Sequence, residues 1–368
     1  MIRPHLTPLA ETLPATVPFV GPEAQERARG KAFKARIGAN ESGFGPSPKV
    51  QAAIAAAAGE MWMYGDPESA ELRKRLAEKH EVSAQNIVIG EGIDGLLGLI
   101  VRLWADKNTP VVTSLGAYPT FNYHVAGFGA RLVTVPYEDD RESLSALLDA
   151  VKRENAPLVY LANPDNPMGT WWPAVDIQRF IDELPETTML VLDEAYGETA
   201  PEGTLPPLDV TRPNVVRMRT FSKAYGLAGL RCGYAIGETT TINAFEKVRN
   251  HFGMTRMAQV AALAALDDDD YLQSVISQVA ACRDRLTKIA ADNGLASIPS
   301  ATNFVAIDCG SDGPFALKVM QALISRDVFV RKPMAPGLDR CIRVSVGPAA
   351  EIDIFERELP FALEEARG

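Results

Sequence analysis

Two hydroxyls, a lysine and an arginine crowd one glycine-rich stretch, Arg219-Thr220-Phe221-Ser222-Lys223-Ala224-Tyr225-Gly226-Leu227-Ala228-Gly229-Leu230-Arg231. A lone lysine is usually a surface charge, but Lys223, between Ser222 and Ala224, lies on no obvious solvated helix face. Thr220, Ser222 and Arg231 form a set suited to an anion such as phosphate. A second anion site is legible in Ile89-Gly90-Glu91-Gly92-Ile93-Asp94-Gly95, where a strand ends in glycines and a helix begins. Unpaired N–H groups and the helix dipole favour negative charge there. Such glycines also serve packing alone, and the spacing is not the dinucleotide G-x-G-x-x-G. In Leu190-Val191-Leu192-Asp193-Glu194-Ala195-Tyr196 a carboxylate ends an apolar strand. A charge there is costly unless paired; the plainer role for Asp193 is a helix cap. Asn163-Pro164-Asp165-Asn166-Pro167-Met168-Gly169-Thr170 follows another strand. Its prolines and glycine make a rigid turn, either plain or presenting an asparagine amide to a ligand at the sheet's edge.

These segments need a scaffold that brings them together. Short apolar runs predict strands over 86–90, 110–114, 131–135, 157–162, 189–193, 214–218 and 233–236, separated by amphipathic helical runs. That alternation predicts an α/β fold with a mostly parallel seven-stranded sheet between helices. After about residue 240 three successive helices are expected, the first over 242–250, followed by a smaller α+β unit. The first 35 residues carry Pro4, Pro8, Pro14, Pro18 and Pro22 and read as an irregular arm. The expected division is an arm at 1–35 packed on the small domain or a partner subunit, a large domain at 36–248 and a small domain at 249–368.

The 368 residues include 37 Lys and Arg against 47 Asp and Glu, a net charge of −10. That balance argues against a nucleic-acid partner. No apolar run suits a membrane span, and the N-terminus lacks a signal-peptide pattern, so a cytoplasmic protein is expected. The four cysteines (Cys232, Cys282, Cys309, Cys341) form no C-x-x-C pair and the four histidines are scattered, so no metal site is expected.

Taken in order, the four segments resemble the fold type I, class I/II aminotransferases that use pyridoxal 5′-phosphate. They look most like the histidinol-phosphate aminotransferase group. The likeness extends from Ala39-Asn40-Glu41-Ser42-Gly43 through Tyr64-Gly65-Asp66-Pro67 to Pro299–Asp308 and Cys341–Gly347. The resemblance implies that Lys223 forms the Schiff base with the cofactor and that Asp193 pairs with its ring nitrogen. It implies Asn166 and Tyr196 on the ring oxygen and Phe121 stacked on the ring. The phosphate would be held by the backbone at Gly92, Ile93 and Asp94 with Thr220, Ser222 and Arg231. Lys223, Asp193 and Tyr196 would be the catalytic set. Tyr64 would reach the phosphate of a neighbouring subunit, making a homodimer with shared sites. Arg343 would grip the substrate's anionic group, with Asn40 beside it.

The partners so implied are an amino donor, either histidinol phosphate or an aromatic amino acid, and a 2-oxo acid. This chain has Asn40-Glu41-Ser42-Gly43 where the group usually reads Asn-Glu-Asn-Pro, Met168 for Thr and Phe121 for Tyr. A decarboxylase or lyase on the same scaffold is one alternative. A non-catalytic cofactor-binding regulatory module is the other; it would need an attached DNA-binding domain.

Overall fold

Apolar runs too short for helices, each closed by a turn, become the strands of one sheet. The computed structural model describes residues 4–15 and 20–368. The sheet holds β1 (Ile87–Gly90), β2 (Pro110–Ser114), β3 (Arg131–Val135), β4 (Leu158–Ala162), β5 (Met189–Asp193), β6 (Val215–Thr220) and β7 (Gly233–Ile236). Their spatial order is β1-β7-β6-β5-β4-β2-β3. All neighbours run parallel except β7, which is antiparallel to β1 and β6. Strand alternation divides the core. Leu158, Tyr160, Met189 and Val191 face the helices Gly92–Trp104 and Pro119–Gly127. Val159, Leu161, Leu190 and Leu192 face the helices Leu144–Glu154 and Ala174–Glu183. Both faces of the central strands are thus buried, as the continuous apolar runs required.

The smaller body is an antiparallel sheet of β8 (Ala296–Ser297), β9 (Phe304–Asp308) and β10 (Cys341–Ser345). It is backed by the helices Asp269–Asp292, Gly313–Ser325 and Ala349–Arg367.

The cores divide differently from the expected boundaries. Ala35 and Ile37 lie in the smaller body's core, and Ala35–Arg36 pairs with Val328–Phe329. The helix Arg256–Leu266 packs with Val50, Leu72 and Leu76 against the large sheet. We propose that the second body begins within Asp269–Asp292 and borrows residues 35–37. Loss of strand alternation marks the end of the sheet, but the partner of each later helix is set by its apolar face.

The arm is less irregular than expected. Pro8 and Pro22 open the short helices Pro8–Thr12 and Pro22–Arg29. At the first helical position proline has no bond to lose. Pro18 lies outside the described residues. The helix expected over 242–250 starts earlier, at Thr239, because the Glu238 carboxylate accepts from the Thr241 N–H; it passes into a 3₁₀ turn at Phe245–Lys247.

Gly226, which ends the lysine segment, has φ +71°, and a Cβ there would lie 2.4 Å from the Gly45 carbonyl oxygen. Gly226→Ala is expected to destabilise the fold by about 1–3 kcal/mol, read as a lowered midpoint in chemical unfolding.

Candidate active site

Strands β4, β5 and β6 all end at one edge of the sheet, and the loops beyond them enclose a cavity of about 320 Å³. Ile93, Asp94, Asn166, Asp193, Tyr196, Thr220, Ser222, Lys223 and Arg231 line it. Nine residues chosen from four separate sequence segments therefore meet on one surface.

One end of the cavity is an anion cradle. The helix Gly92–Trp104 starts there without a side-chain cap, so its first N–H groups have no side-chain acceptor. Gly92 has φ +73°, and a Cβ there would lie 2.5 Å from Arg231 Nη2. Glycine thus allows the guanidinium to lie against the helix start. Arg231 itself is left-handed, φ +53°. It donates to the Ser222 hydroxyl at 3.4 Å and pairs with Asp94 at 3.0 Å. Thr220 Oγ1 donates to Ser222 Oγ at 2.9 Å.

At the middle, Asp193 is 5% exposed. One carboxylate oxygen accepts from the Tyr160 hydroxyl at 2.7 Å and the other from the Ala195 N–H at 2.9 Å. Both donors are neutral. Burial pushes the carboxyl up to about 6, against the pull of those bonds. Asp193 therefore caps no helix; it holds a proton or awaits a cation. The adjacent Glu194 is the opposite case: fully buried, it is held low by Arg217 at 2.5 Å and Arg219 at 3.0 Å, whose charges outweigh its burial.

Lys223 Nζ donates to the Asn40 carbonyl at 3.0 Å and lies 5.4 Å from the centre of the Tyr196 ring. Asn40 is buried, and its amide donates to the Tyr196 hydroxyl at 3.3 Å and accepts from Ser345 at 3.1 Å. The cavity wall is formed instead by its neighbours Ala39 and Glu41. The Asn40 side chain is thus engaged in holding Tyr196.

Arg343 projects from β10 and donates through Nη1 to Asn166 Oδ1 at 2.6 Å. Its Nε is buried without a partner, and burial disfavours its charge. Arg331 pairs with Arg343 through the backbone on the neighbouring segment. Its guanidinium donates to the Val20 carbonyl at 2.8 Å; burial disfavours its charge, and Glu41 offsets part of that. Sequence reading missed Arg331, because its strand pairing is a single bridge.

Phe121, the aromatic expected against the cofactor ring, does not line this cavity. It is fully buried and stacks on Tyr160 at 4.7 Å, inside the core. Tyr118 lines the cavity in its place, donating to Asp94 at 2.8 Å. Pro119 begins the helix Pro119–Gly127. The aromatic before it faces the loop edge, and the one in its first turn faces the core. Tyr64 is 78% exposed, stacked near Phe252 at 4.9 Å, and does not line this cavity.

The residues fit a pyridine ring carrying a phosphate. The cradle suits the phosphate, the buried Asp193 lacks the cation that a protonated ring nitrogen supplies, and the Lys223 amine lines the same cavity. Among the described residues no cluster of His, Cys, Asp and Glu suits a metal ion, and no helix is long and apolar enough to cross a membrane.

Residues 34–359 match the family described as aminotransferase class I and II. The chain is 35% identical over 360 residues to histidinol-phosphate aminotransferase 2 of Carboxydothermus hydrogenoformans, covering 96% of this chain and 98% of that one. It is 36% identical over 335 residues to histidinol-phosphate aminotransferase 2 of Pseudomonas aeruginosa, covering 88% of each. The crystal structure of histidinol-phosphate aminotransferase from Sinorhizobium meliloti in complex with pyridoxal 5′-phosphate matches with a TM-score of 0.96 at 58% identity. That match covers 99% of this chain and 98% of the other.

Asp193 is raised from its usual 3.8 to about 6, so the folded, cofactor-free protein binds this proton more readily than the unfolded chain. The associated stability is full below about pH 4 and is lost as pH rises through about 6. Cofactor-free Asp193→Asn is therefore expected to melt above cofactor-free wild type at pH 8, with the gap shrinking below about pH 6. A pH-independent gap in thermal melts would contradict this.

Proposed function

The chain belongs to the aminotransferase class I and II family, and on that premise we propose that it moves an amino group from histidinol phosphate to a 2-oxo acid. It is a pyridoxal 5′-phosphate-dependent aminotransferase. The observation that carries the substrate reading is Arg343, with a buried and unpartnered Nε, beside Arg331, which is bridged to it through the backbone and whose charge reaches it. Two such groups suit a doubly charged phosphate better than a single carboxylate.

When bound, the cofactor supplies an electron sink for the bonds at the substrate's Cα. In our reading the Asp193 carboxylate holds the proton on the ring nitrogen, and pairing with that cation keeps the carboxylate ionised at neutral pH. The helix start at Gly92, Ile93 and Asp94, with Thr220, Ser222 and Arg231, holds the cofactor's phosphate. Asn166, whose oxygen is taken by Arg343, has its amide N–H groups to offer the ring oxygen, and the Tyr196 hydroxyl shares that task. Tyr118 covers one face of the ring. Lys223 Nζ would hold the cofactor and would also serve as the base that moves the proton at the substrate's Cα. Arg343 fixes the substrate's anion and so sets which Cα bond stands perpendicular to the ring. On a donor with no carboxyl at Cα, that choice places the Cα–H bond where the proton can be removed.

The same reading includes a homodimer and a cytoplasmic setting. Met61, Trp62, Tyr64 and Phe252 are 65%, 82%, 78% and 56% exposed on one face. A second copy covering them would bring Tyr64 toward the partner's cradle.

Wild type loaded with pyridoxal 5′-phosphate is expected to transfer the amino group of histidinol phosphate to 2-oxoglutarate. Turnover of aromatic amino acids alone, or release of CO₂, would refute the substrate assignment. Lys223→Ala should lose at least about 10²-fold in kcat together with the visible absorbance of the bound cofactor. Arg343→Ala should raise KM for the donor while cofactor affinity holds; equal loss of both would remove Arg343 from the substrate site.

A further inference from the structure

The grip of Arg343 depends on two chain segments that the large sheet alone does not hold together. Asn166 sits on the rigid turn after β4, and Arg343 on β10 of the smaller body. A third segment touches both. The hairpin of Tyr137–Glu138 and Arg141–Glu142 turns through Asp139 and Asp140, both left-handed at φ +48° and +62°. The Asp140 carbonyl accepts from the Thr170 hydroxyl at 2.9 Å. Thr170 closes the Asn166 turn, its own carbonyl accepting from the Asp165 N–H at 2.8 Å. The Asp140 carboxylate meets Arg340 Nη2 with both oxygens, at 3.0 and 2.8 Å. Arg340 Nε donates to Asp308 on β9 at 2.7 Å, and the Arg340 carbonyl accepts from the Cys309 N–H at 3.1 Å. Cys341 follows at once as the first residue of the strand that carries Arg343.

An apolar contact seals the same seam. Met168, from the Asn166 turn, is fully buried against Ala306, Ala335, Leu338 and Cys341. A thioether adapts to such a gap but has no directional bond to fix the seam. The direction comes from the guanidinium, whose planar fork reaches two carboxylates from two bodies at once.

We propose that Asp140 and Arg340 are positioning residues for substrate recognition, setting the distance between Asn166 and Arg343 so that both meet one anion. This rests on the reading of Arg343 as the substrate's anion grip. The triad is partly exposed, with Arg340 29%, Asp140 20% and Asp308 22% accessible. Its contribution to global stability is therefore small, while a misplacement of an ångström at the grip is costly to binding.

The test uses the cofactor-loaded full chain. Asp140→Gly keeps the left-handed turn and removes the carboxylate; Arg340→Met removes the fork. Each is expected to raise KM for histidinol phosphate roughly tenfold, with kcat, cofactor affinity and melting temperature unchanged. The double variant should be no worse than the poorer single one. Asp140→Asn and Arg340→Lys should restore part of the loss. An unchanged KM overturns the proposal, and so does a joint fall in KM-derived affinity, kcat, cofactor affinity and melting temperature. Should wild type fail to turn over histidinol phosphate, the substrate reading falls by itself. Binding of inorganic phosphate to the cofactor-loaded protein then decides: a roughly tenfold weaker affinity in Asp140→Gly sustains the pair, and equal affinity in wild type and variant overturns it.

Discussion

A buried carboxylate with only neutral hydrogen-bond donors is the constraint around which this molecule is arranged. Asp193 has a tyrosine hydroxyl and a backbone N–H for company, enough to orient it and too little to stabilise its charge. The next residue shows what full compensation looks like, since Glu194 is clamped by two arginines. Removing one partner of such a buried network is costly, so the pair of arginines fixes the strand end rigidly. Consecutive acids at one strand end thus divide the labour: one anchors the backbone, and the other keeps an unmet electrostatic demand pointed into the cavity. In the proposed reading a protonated ring nitrogen meets that demand.

Much of this arrangement was legible in the sequence. All seven strands of the large sheet could be placed because central strands, buried on both faces, are nearly all apolar. Lys223, Thr220, Ser222 and Arg231 stood out because hydroxyls and opposite ends of a glycine-rich segment imply a compact anion set. Asn166 was marked by the two prolines around it. The choice between Tyr118 and Phe121 was not legible. Both are aromatic, three positions apart, and only the exact helix start at Pro119 decides which faces the cavity. Arg331 was invisible for a different reason: its partner in the sheet is twelve residues away along the chain and bridges it at one point only. The hydrogen bonds of Asn40 were not legible either, because the residue type says that an amide is present and not that Ser345 and Tyr196 occupy it.

The domain boundaries proposed from the cores depart from those read off the sequence for the same class of reason. Strand alternation is a local signal, whereas Ala35 and Ile37 reach their core through pairing with residues nearly three hundred positions later. The arm offered only its prolines, which forbid a continuous helix and leave room for two short ones.

The antiparallel strand β7 sits between the first and the sixth strands of the sheet, and Gly233 is paired with both Gly90 and Thr220. The two halves of the anion cradle are joined through the last strand of the large sheet to be made. On the ribosome, the glycine turn emerges long before the piece that seats it beside the hydroxyl pair. No nascent chain that stops short of Gly233–Ile236 can therefore own a finished cradle.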